Sequence, residues 1–509
     1  MDQRPGFDLA TEPWAEVRWC EPSPERPARV GLRDLFIHAH EIEALTITPA
    51  PALSAMYRLL YALLARITGL DVLDGDEDAW LDRRLELLEE PLDPASVDRY
   101  FTKHPRAFDL FDPERPFLQD PRLADPAVCP KSAGVNKLAL GRPAGNNPVW
   151  FGHHWDTSPL PLPTAEAFAA MLVWLYYGPS GRCATRTHGA VTEADVSAGP
   201  LRSSLSYHPE GETLLATLLA GLTPPPRGLR REDDLCPWEK PELPDPLEPP
   251  REPSPYPGPC SRLTGGWQHA LLLVPDSTGE QVTDAYITWA RRGKLPPTND
   301  AYVIHQISQS GNRYARPAES GRALWRDLDG LLGLRSNRGG PAPTPPEVLL
   351  TVDDLGVFKV RALGFEQDGK TKDVQFVSAT TPPLTFRIQE DDHNRARRIG
   401  DLRDSGELYG RRLSFAVRHA WALVNRDKPK PCAWEEHAAA AYWPAAEEIF
   451  WDRLQREDYK DAWRAFRNAA IAAYDQVTEG RARTAQSARA IEQARLELYG
   501  GRRKSKRGD

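Results

Sequence analysis

The sequence predicts an α+β protein, with a large mixed N-terminal globular domain followed by a C-terminal four-helix bundle. Three observations carry this. At 509 residues the chain is too long for a single core. Helical stretches and β-rich runs mix as far as about residue 387. Beyond it four helical stretches follow one another with short breaks, at 393–425, 434–455, 457–477 and 482–499. Helices of about 20 residues span roughly 30 Å, and short connections make neighbours antiparallel. The expected organisation is therefore 1–387, 388–500 and a basic disordered tail at 501–509.

Within the first part, residues 7–19 read as an opening strand. Residues 50–70 read as a helix, with Leu and Ile at helical spacing. A second helix is expected over 164–177, with Thr164 as N-cap and Gly178 as its stop. Residues 178–211 form a long Gly/Ser/Thr/Arg loop, and loops of that length are usually functional or disordered. The 13 Pro between 223 and 259 mark a surface excursion or interlobe linker. Strand-like runs follow at 267–274, 285–289, 301–307, 348–363 and 374–379, with one helix near 320–333. In the bundle, Asp427–Pro431 separates the first two helices and Gly480 the last two. Ala439, Tyr442, Trp443, Ala446, Ile449 and Phe450 form a core stripe.

Composition narrows the function. A net charge of −8 excludes a generally basic nucleic-acid coat, so any DNA contact needs a local patch. The six Cys show no C-x-x-C pair, which argues against structural zinc and a disulfide framework and suits a reducing cytoplasm. The N-terminus is polar and acidic, unlike a signal peptide, and Arg58 and Arg66 interrupt the most apolar stretch, Leu53–Leu70. No H-E-x-x-H, G-x-S-x-G or strand-following G-x-G-x-x-G occurs. His153, His154 and Asp156 sit together in FGHHWD, but adjacent strand side chains point to opposite faces and rarely share one metal. A non-catalytic binding or scaffolding role without metal or cofactor is expected.

Residues 364–371, GFEQDGKT, match the phosphate-loop pattern G-x-x-x-x-G-K-[ST]. A phosphate loop follows a strand and opens a helix. The upstream side fits, through Val357, Phe358, Val360 and Leu363. Downstream, KDVQFVSATTPPLTF alternates at strand period and meets Pro382-Pro383. A β-hairpin with Asp368-Gly369 at its tip is predicted instead of a phosphate loop. Only 13 Lys occur in the chain, yet Lys359, Lys370 and Lys372 fall on this hairpin. The competing readings are a P-loop nucleotide hydrolase and a protein-binding scaffold without DNA contact.

Eight stretches in order resemble one family: FDLATEPWAEVR (7–18), FDLFDPERPFLQD (108–120), NKLALGRPAGNNPVWFGHHWD (136–156), AGPLRSSLSYHPEG (198–211), DLCPWEKP (234–241), LTGGWQHALLLVP (263–275), ALWRDLDGLL (323–332) and YWPAAEEIFWDRL (442–454). Their order and spacing resemble the CasA family, the large subunit of the type I-E CRISPR surveillance complex Cascade. The resemblance implies a non-catalytic subunit that recognises the protospacer-adjacent motif of duplex DNA, initiates unwinding and recruits the helicase–nuclease. Implied partners are CasB, CasC, CasD and CasE with CRISPR RNA, target DNA and that helicase–nuclease.

The resemblance also implies site residues. The loop contacting the RNA-bearing backbone falls on Gly145, Asn146, Asn147, Phe151, Gly152 and His153. The Gly-rich loop approaching the motif falls around Gly178–Gly181, and the wedge hairpin on Glu366–Lys372. The wedge glutamine is then Gln367, or is displaced to the Gly369-Lys370 tip. The family's minor-groove lysine position holds Tyr286, leaving Arg291, Arg292 or Lys294 beside the Gly293–Pro296 turn. A basic patch of Arg182, Arg186, Arg291, Arg292, Lys294 and the Lys-bearing hairpin (Lys370, Lys372) is expected to converge, with Gln367, Asp368 and Gly369 as further DNA-facing residues of the wedge.

Overall fold

The computed structural model describes residues 5–72, 76–145, 149, 152–202, 204–250, 254–293, 295, 300–334, 342–368 and 372–500. The chain divides into two compact units. One holds residues 1–305, 313–320 and 346–384, and the other 306–312, 321–345 and 385–509.

The first unit is built around α1 (Ala52–Thr68), an apolar helix buried along nearly its whole length. β1 (Ala15–Trp19) lies between two short antiparallel partners, Arg29–Val30 and Ile42–Leu45. The extended structure expected from residue 7 thus starts only at Ala15. Helices that the sequence reading did not expect include Glu77–Glu89 and Pro94–Lys103, whose first turns are capped by Asp76 and Asp93. Both Asp side chains accept backbone N–H groups that would otherwise be orphaned.

α2 (Thr164–Tyr177) has the expected span, but Thr164 is not its cap. Its hydroxyl donates to the Gly279 carbonyl at 2.8 Å, and Pro163 holds the N-cap position. The segment expected as a long loop contains a hairpin, β2 (Gly181–His188) and β3 (Val191–Val196), turning at Gly189 with φ +58. β4 (Ser206–Glu210) follows it. The Pro-rich stretch runs largely exposed or half-buried but is anchored at a few points. Asp234, Cys236 and Trp238 are buried, and Asp234 accepts the N–H groups of Cys260 and Ser261 at 3.0 and 2.8 Å.

β5 (His269–Pro275) and β6 (Gln281–Trp289) pair antiparallel, with Leu162–Pro163 on the far side of β6. Residues 347–355 form 3-10 turns where a strand was expected, so β7 (Lys359–Asp368) begins late. It pairs with β8 (Lys372–Thr380). The sheet order is β8-β7-β4. The strand–loop–helix required by a phosphate loop fails here, because residues 372–380 are a strand. Turn residues 369–371 lie outside the described residues.

The second unit contains α3 (His393–Asn425), α4 (Ala433–Gln455), α5 (Ala462–Thr478) and α6 (Ala485–Arg495). Asp392 caps α3 by accepting from Asn394 and Arg395 N–H. The α4 core face runs through Ala438, Tyr442, Ala446 and Phe450, with Ala438 taking the place expected for Ala439. Trp325, supplied by the 321–345 segment, stacks on Phe450 and Phe466 at 5.0 and 6.3 Å. Gly406 makes room for it, since a Cβ there would lie 2.6 Å from the indole. Arg326 seals this core, 2.5 Å from Glu407 and 3.9 Å over the Trp443 ring. The basic tail at 501–509 is outside the described residues.

Candidate nucleic-acid interface

β7 pairs with β4 only over Lys359–Leu363, whereas its pairing with β8 continues to Asp368. The distal five residues therefore form a two-stranded ribbon beyond the sheet, about 17 Å long at roughly 3.3 Å per residue. Val360, Ala362 and Leu363 bury the base. Gly364 packs so closely that a Cβ would meet the Ser204 carbonyl at 2.6 Å. The first glycine of the phosphate-loop pattern thus serves close packing. The register pairs Phe365 with Phe376, whose rings lie 4.9 Å apart, and Tyr177 closes on Phe365 at 5.3 Å. The Ser320 N–H donates to Glu366 at 2.8 Å, and hydrogen bonding from the Ser320 side chain, with the backbone second, lowers the Glu366 pKa.

Gln367 Nε2 donates to Asp373 Oδ1 at 3.1 Å, while exposed Asp368 and Lys372 form a loose 3.8 Å pair. Gly369 and Lys370 lie outside the described residues.

The Gly-rich turn follows α2. Gly178 is needed for approach, because a Cβ would meet His269 Cε1 and the Trp174 carbonyl at 2.5 Å. Gly181 has φ +130, a conformation that suits glycine. His269 Nε2 donates to the Pro179 carbonyl at 3.1 Å, which fixes the turn and leaves Nδ1 unprotonated. Burial pushes the His269 pKa down to about 4.

A cleft of about 850 Å3 opens beside this turn, lined by Lys131, Lys137, Gly145, Ser180, Arg182 and His269 among others. Among the described residues, none that lines it is acidic. Lys137 Nζ sits 5.6 Å from the Trp174 ring. Lys131, Lys137 and Arg182 are exposed, so the described lining of the cleft is positively charged. Lys131 and Lys137 were not anticipated, although the lysine scarcity that flagged the hairpin applies to them equally.

The cleft unites two predicted elements, the Gly178–Arg182 turn and the start of the 145–153 loop. Gly145 has φ +57 and donates its N–H to Asp156 at 3.0 Å, and Gly152 and His153 are exposed. Asn146, Asn147 and Phe151 lie outside the described residues. The described FGHHWD residues form an irregular loop and not a strand. Among the described residues, no group of three His, Cys, Asp or Glu is placed to hold a metal ion.

Arg186 does not belong to a DNA-facing patch. It is fully buried, pairs with Asp120 at 2.5 Å, and donates to the Trp289 carbonyl at 2.9 Å. Burial lowers its pKa, which Asp120 partly restores. Arg291 donates to the Tyr256 hydroxyl at 3.2 Å, and Arg292 to the Asp195 carbonyl at 2.9 Å. Both are half-buried and locally engaged, whereas Arg182, cross-strand from Asp195, is exposed. Lys294 lies outside the described residues. Tyr286 packs against the Leu123, Cys129 and Ala270 cluster.

The model of the CRISPR-associated protein Cse1 family matches residues 8–485. The chain is 27% identical over 494 residues to CRISPR-associated protein CasA/Cse1 of Thermus thermophilus, spanning 92% of this chain and 91% of that protein. A chain from a solved CRISPR RNA-guided surveillance complex is similar at TM-score 0.87 and 39% identity, over 97% of this chain and 100% of that one. Thermobifida fusca Cse1 is similar in fold at TM-score 0.77 and 18% identity, over 97% and 98% of the two chains.

Proposed function

The chain belongs to the CRISPR-associated protein Cse1 family, and from that premise we propose that it is the large, non-catalytic subunit of a type I-E RNA-guided surveillance complex. In this reading it works in the cytoplasm with CasB, CasC, CasD, CasE and CRISPR RNA. It recognises the protospacer-adjacent motif of duplex DNA, begins strand separation and recruits the helicase–nuclease.

The observation that carries this reading is the β7–β8 ribbon, whose pairing continues past its last partner on β4. It is two strands wide, exposes Asp368 and Lys372, and is anchored beside a glycine turn that edges a cleft whose described lining carries Lys131, Lys137 and Arg182. A wedge between base steps costs a few kcal/mol of unstacking. Phosphate contacts and guide pairing offset that cost, since exchanging duplex for heteroduplex is nearly balanced. The step requires no nucleotide hydrolysis. Minor-groove readout near the turn is degenerate, so several short motifs should be accepted. Asn146, Asn147, Phe151, Gly152 and His153 would attach the subunit to the RNA-bearing backbone. Gly178, Gly181, Arg182, Arg291, Arg292 and Lys294 would face the DNA with the ribbon.

The test compares target-strand separation by the complete guide-loaded complex carrying this chain or its Gln367→Ala/Lys370→Ala/Lys372→Ala variant. Assembly should be unchanged and opening impaired. Wild-type opening by the variant refutes the wedge. Absence of any effect of the chain on duplex binding in a mobility assay would instead favour a scaffold without DNA contact.

A further inference from the structure

The last carbonyls of a helix need partners outside it, and at the end of α2 the 199–202 segment supplies them in succession. Leu201 N–H donates to Tyr176 O at 2.9 Å, Arg202 Nη1 to Tyr177 O at 2.6 Å, and Gly199 N–H to Gly178 O at 2.9 Å. Arg202 is only 2% exposed, a burial that a guanidinium tolerates when its charge is matched. The match comes from the hairpin: Arg202 Nη2 lies 2.9 Å from Asp373 Oδ1. That same oxygen accepts Gln367 Nε2 from across the ribbon at 3.1 Å. Gln367 and Asp373 are register partners just beyond an irregularity at Glu366/Gln367, where cross-strand geometry alone fixes a side chain least. One buried arginine therefore touches the helix end that launches the glycine turn. Through one carboxylate oxygen it also reaches the glutamine near the ribbon tip.

We propose that Arg202 and Asp373 are positioning residues that hold the Gln367 side chain at a fixed height relative to the Gly178–Gly181 turn, so that ribbon and turn meet a duplex as one rigid unit. This rests on the reading of the ribbon as the DNA-facing wedge. Desolvation lowers the Arg202 pKa and Asp373 opposes it, which suits a strut whose charge is used internally rather than offered to phosphate.

The experiment is a double-mutant cycle on the complete guide-loaded complex, with Gln367→Ala, Asp373→Ala and the two combined. Asp373 lies at the rim, with its side chain 39% exposed, but its loss strips the buried Arg202 guanidinium of its counter-charge, a cost that the melting temperature reads separately from opening. Strand-opening rate is measured per assembled complex, alongside assembly yield and the melting temperature of the free chain. Removing the shared acceptor should slow opening about tenfold, the usual weight of a hydrogen bond to a charged group. In the Gln367→Ala background the same change should do nothing further.

Slow opening by Gln367→Ala with wild-type opening by Asp373→Ala overturns the strut and leaves the wedge standing. Equal, additive losses in both backgrounds also overturn it, because Asp373 would then act independently of Gln367. So does a loss that disappears once opening is normalised to assembled complex, which would mark a purely structural role. Wild-type opening by Gln367→Ala overturns the wedge itself, and the strut with it.

Discussion

Replacing Gly364 by Ala tests whether the glycine that opens the phosphate-loop pattern serves packing or phosphate binding. The added Cβ would lie 2.6 Å from the Ser204 carbonyl oxygen, 3.1 Å from Leu205 Cα and 3.2 Å from Leu205 Cδ1. The two nearest atoms are backbone, so no side-chain rotation relieves the clash. Overpacking a tight site costs about 1–3 kcal/mol, and backbone neighbours place this one toward the upper end. The less flexible unfolded chain returns about 0.4–1 kcal/mol. The net expectation is a destabilisation of the first unit by about 2 kcal/mol, seen by thermal or urea denaturation of the free chain. Nucleotide affinity should be at background before and after. A wild-type midpoint for Gly364→Ala would refute the packing argument, and micromolar ATP binding abolished by the mutation would restore the phosphate loop.

Two glycines of α3 should respond in opposite directions: a Cβ at Gly400 meets nothing within 4 Å, whereas at Gly410 it meets the Trp443 ring at 2.3 Å. Gly400→Ala should stabilise the helical unit by about 0.5–1 kcal/mol and Gly410→Ala destabilise it by about 1–3 kcal/mol, both read by chemical denaturation. His269 is held neutral in the fold at a pKa of about 4, below its ordinary 6.5, so the unfolded chain takes up the proton first as pH falls. Its contribution is complete above pH 6.5 and fades toward pH 4, and His269→Gln should flatten the stability profile there by up to about 3 kcal/mol. Replacing Lys131, Lys137 and Arg182 by Ala should weaken binding of the assembled complex to duplexes of any sequence. The log–log salt slope should become shallower by about 0.9 for each phosphate that is no longer neutralised, and an unchanged slope would remove the cleft from the interface.

The legible parts of this fold are those whose burial repeats at a fixed period. The bundle helices and α1 show helical spacing in the sequence, and the β7–β8 hairpin shows alternation followed by Pro382-Pro383. The β2–β3 hairpin does not, because most of its side chains are exposed or half-buried and leave no apolar rhythm in GRCATRTH or VTEADV. The Pro-rich segment hides its anchors for a related reason: Asp234, Cys236 and Trp238 are buried without any period in a stretch whose composition reads as linker. Arg186 illustrates a deeper limit. Its type suits phosphate, but its carboxylate partner lies 66 residues away, and no local pattern announces a long-range pair. Lys131 and Lys137 were visible by type, yet only the folded chain brings them to the Gly178–Arg182 turn.

Trp325 has a consequence for how this polypeptide can be divided. The chain passes between its two units at 305/306, 312/313, 320/321, 345/346 and 384/385, so neither unit is one continuous stretch. A fragment starting at residue 388 would contain all four long helices and lack the indole against which Phe450 and Phe466 stack. Gly406 would then face a void the size of a tryptophan. During synthesis the plug of the helical core emerges well before the helices that enclose it. That core closes only when a long intervening segment has been looped out, which makes late, non-local closure the expected slow step of folding.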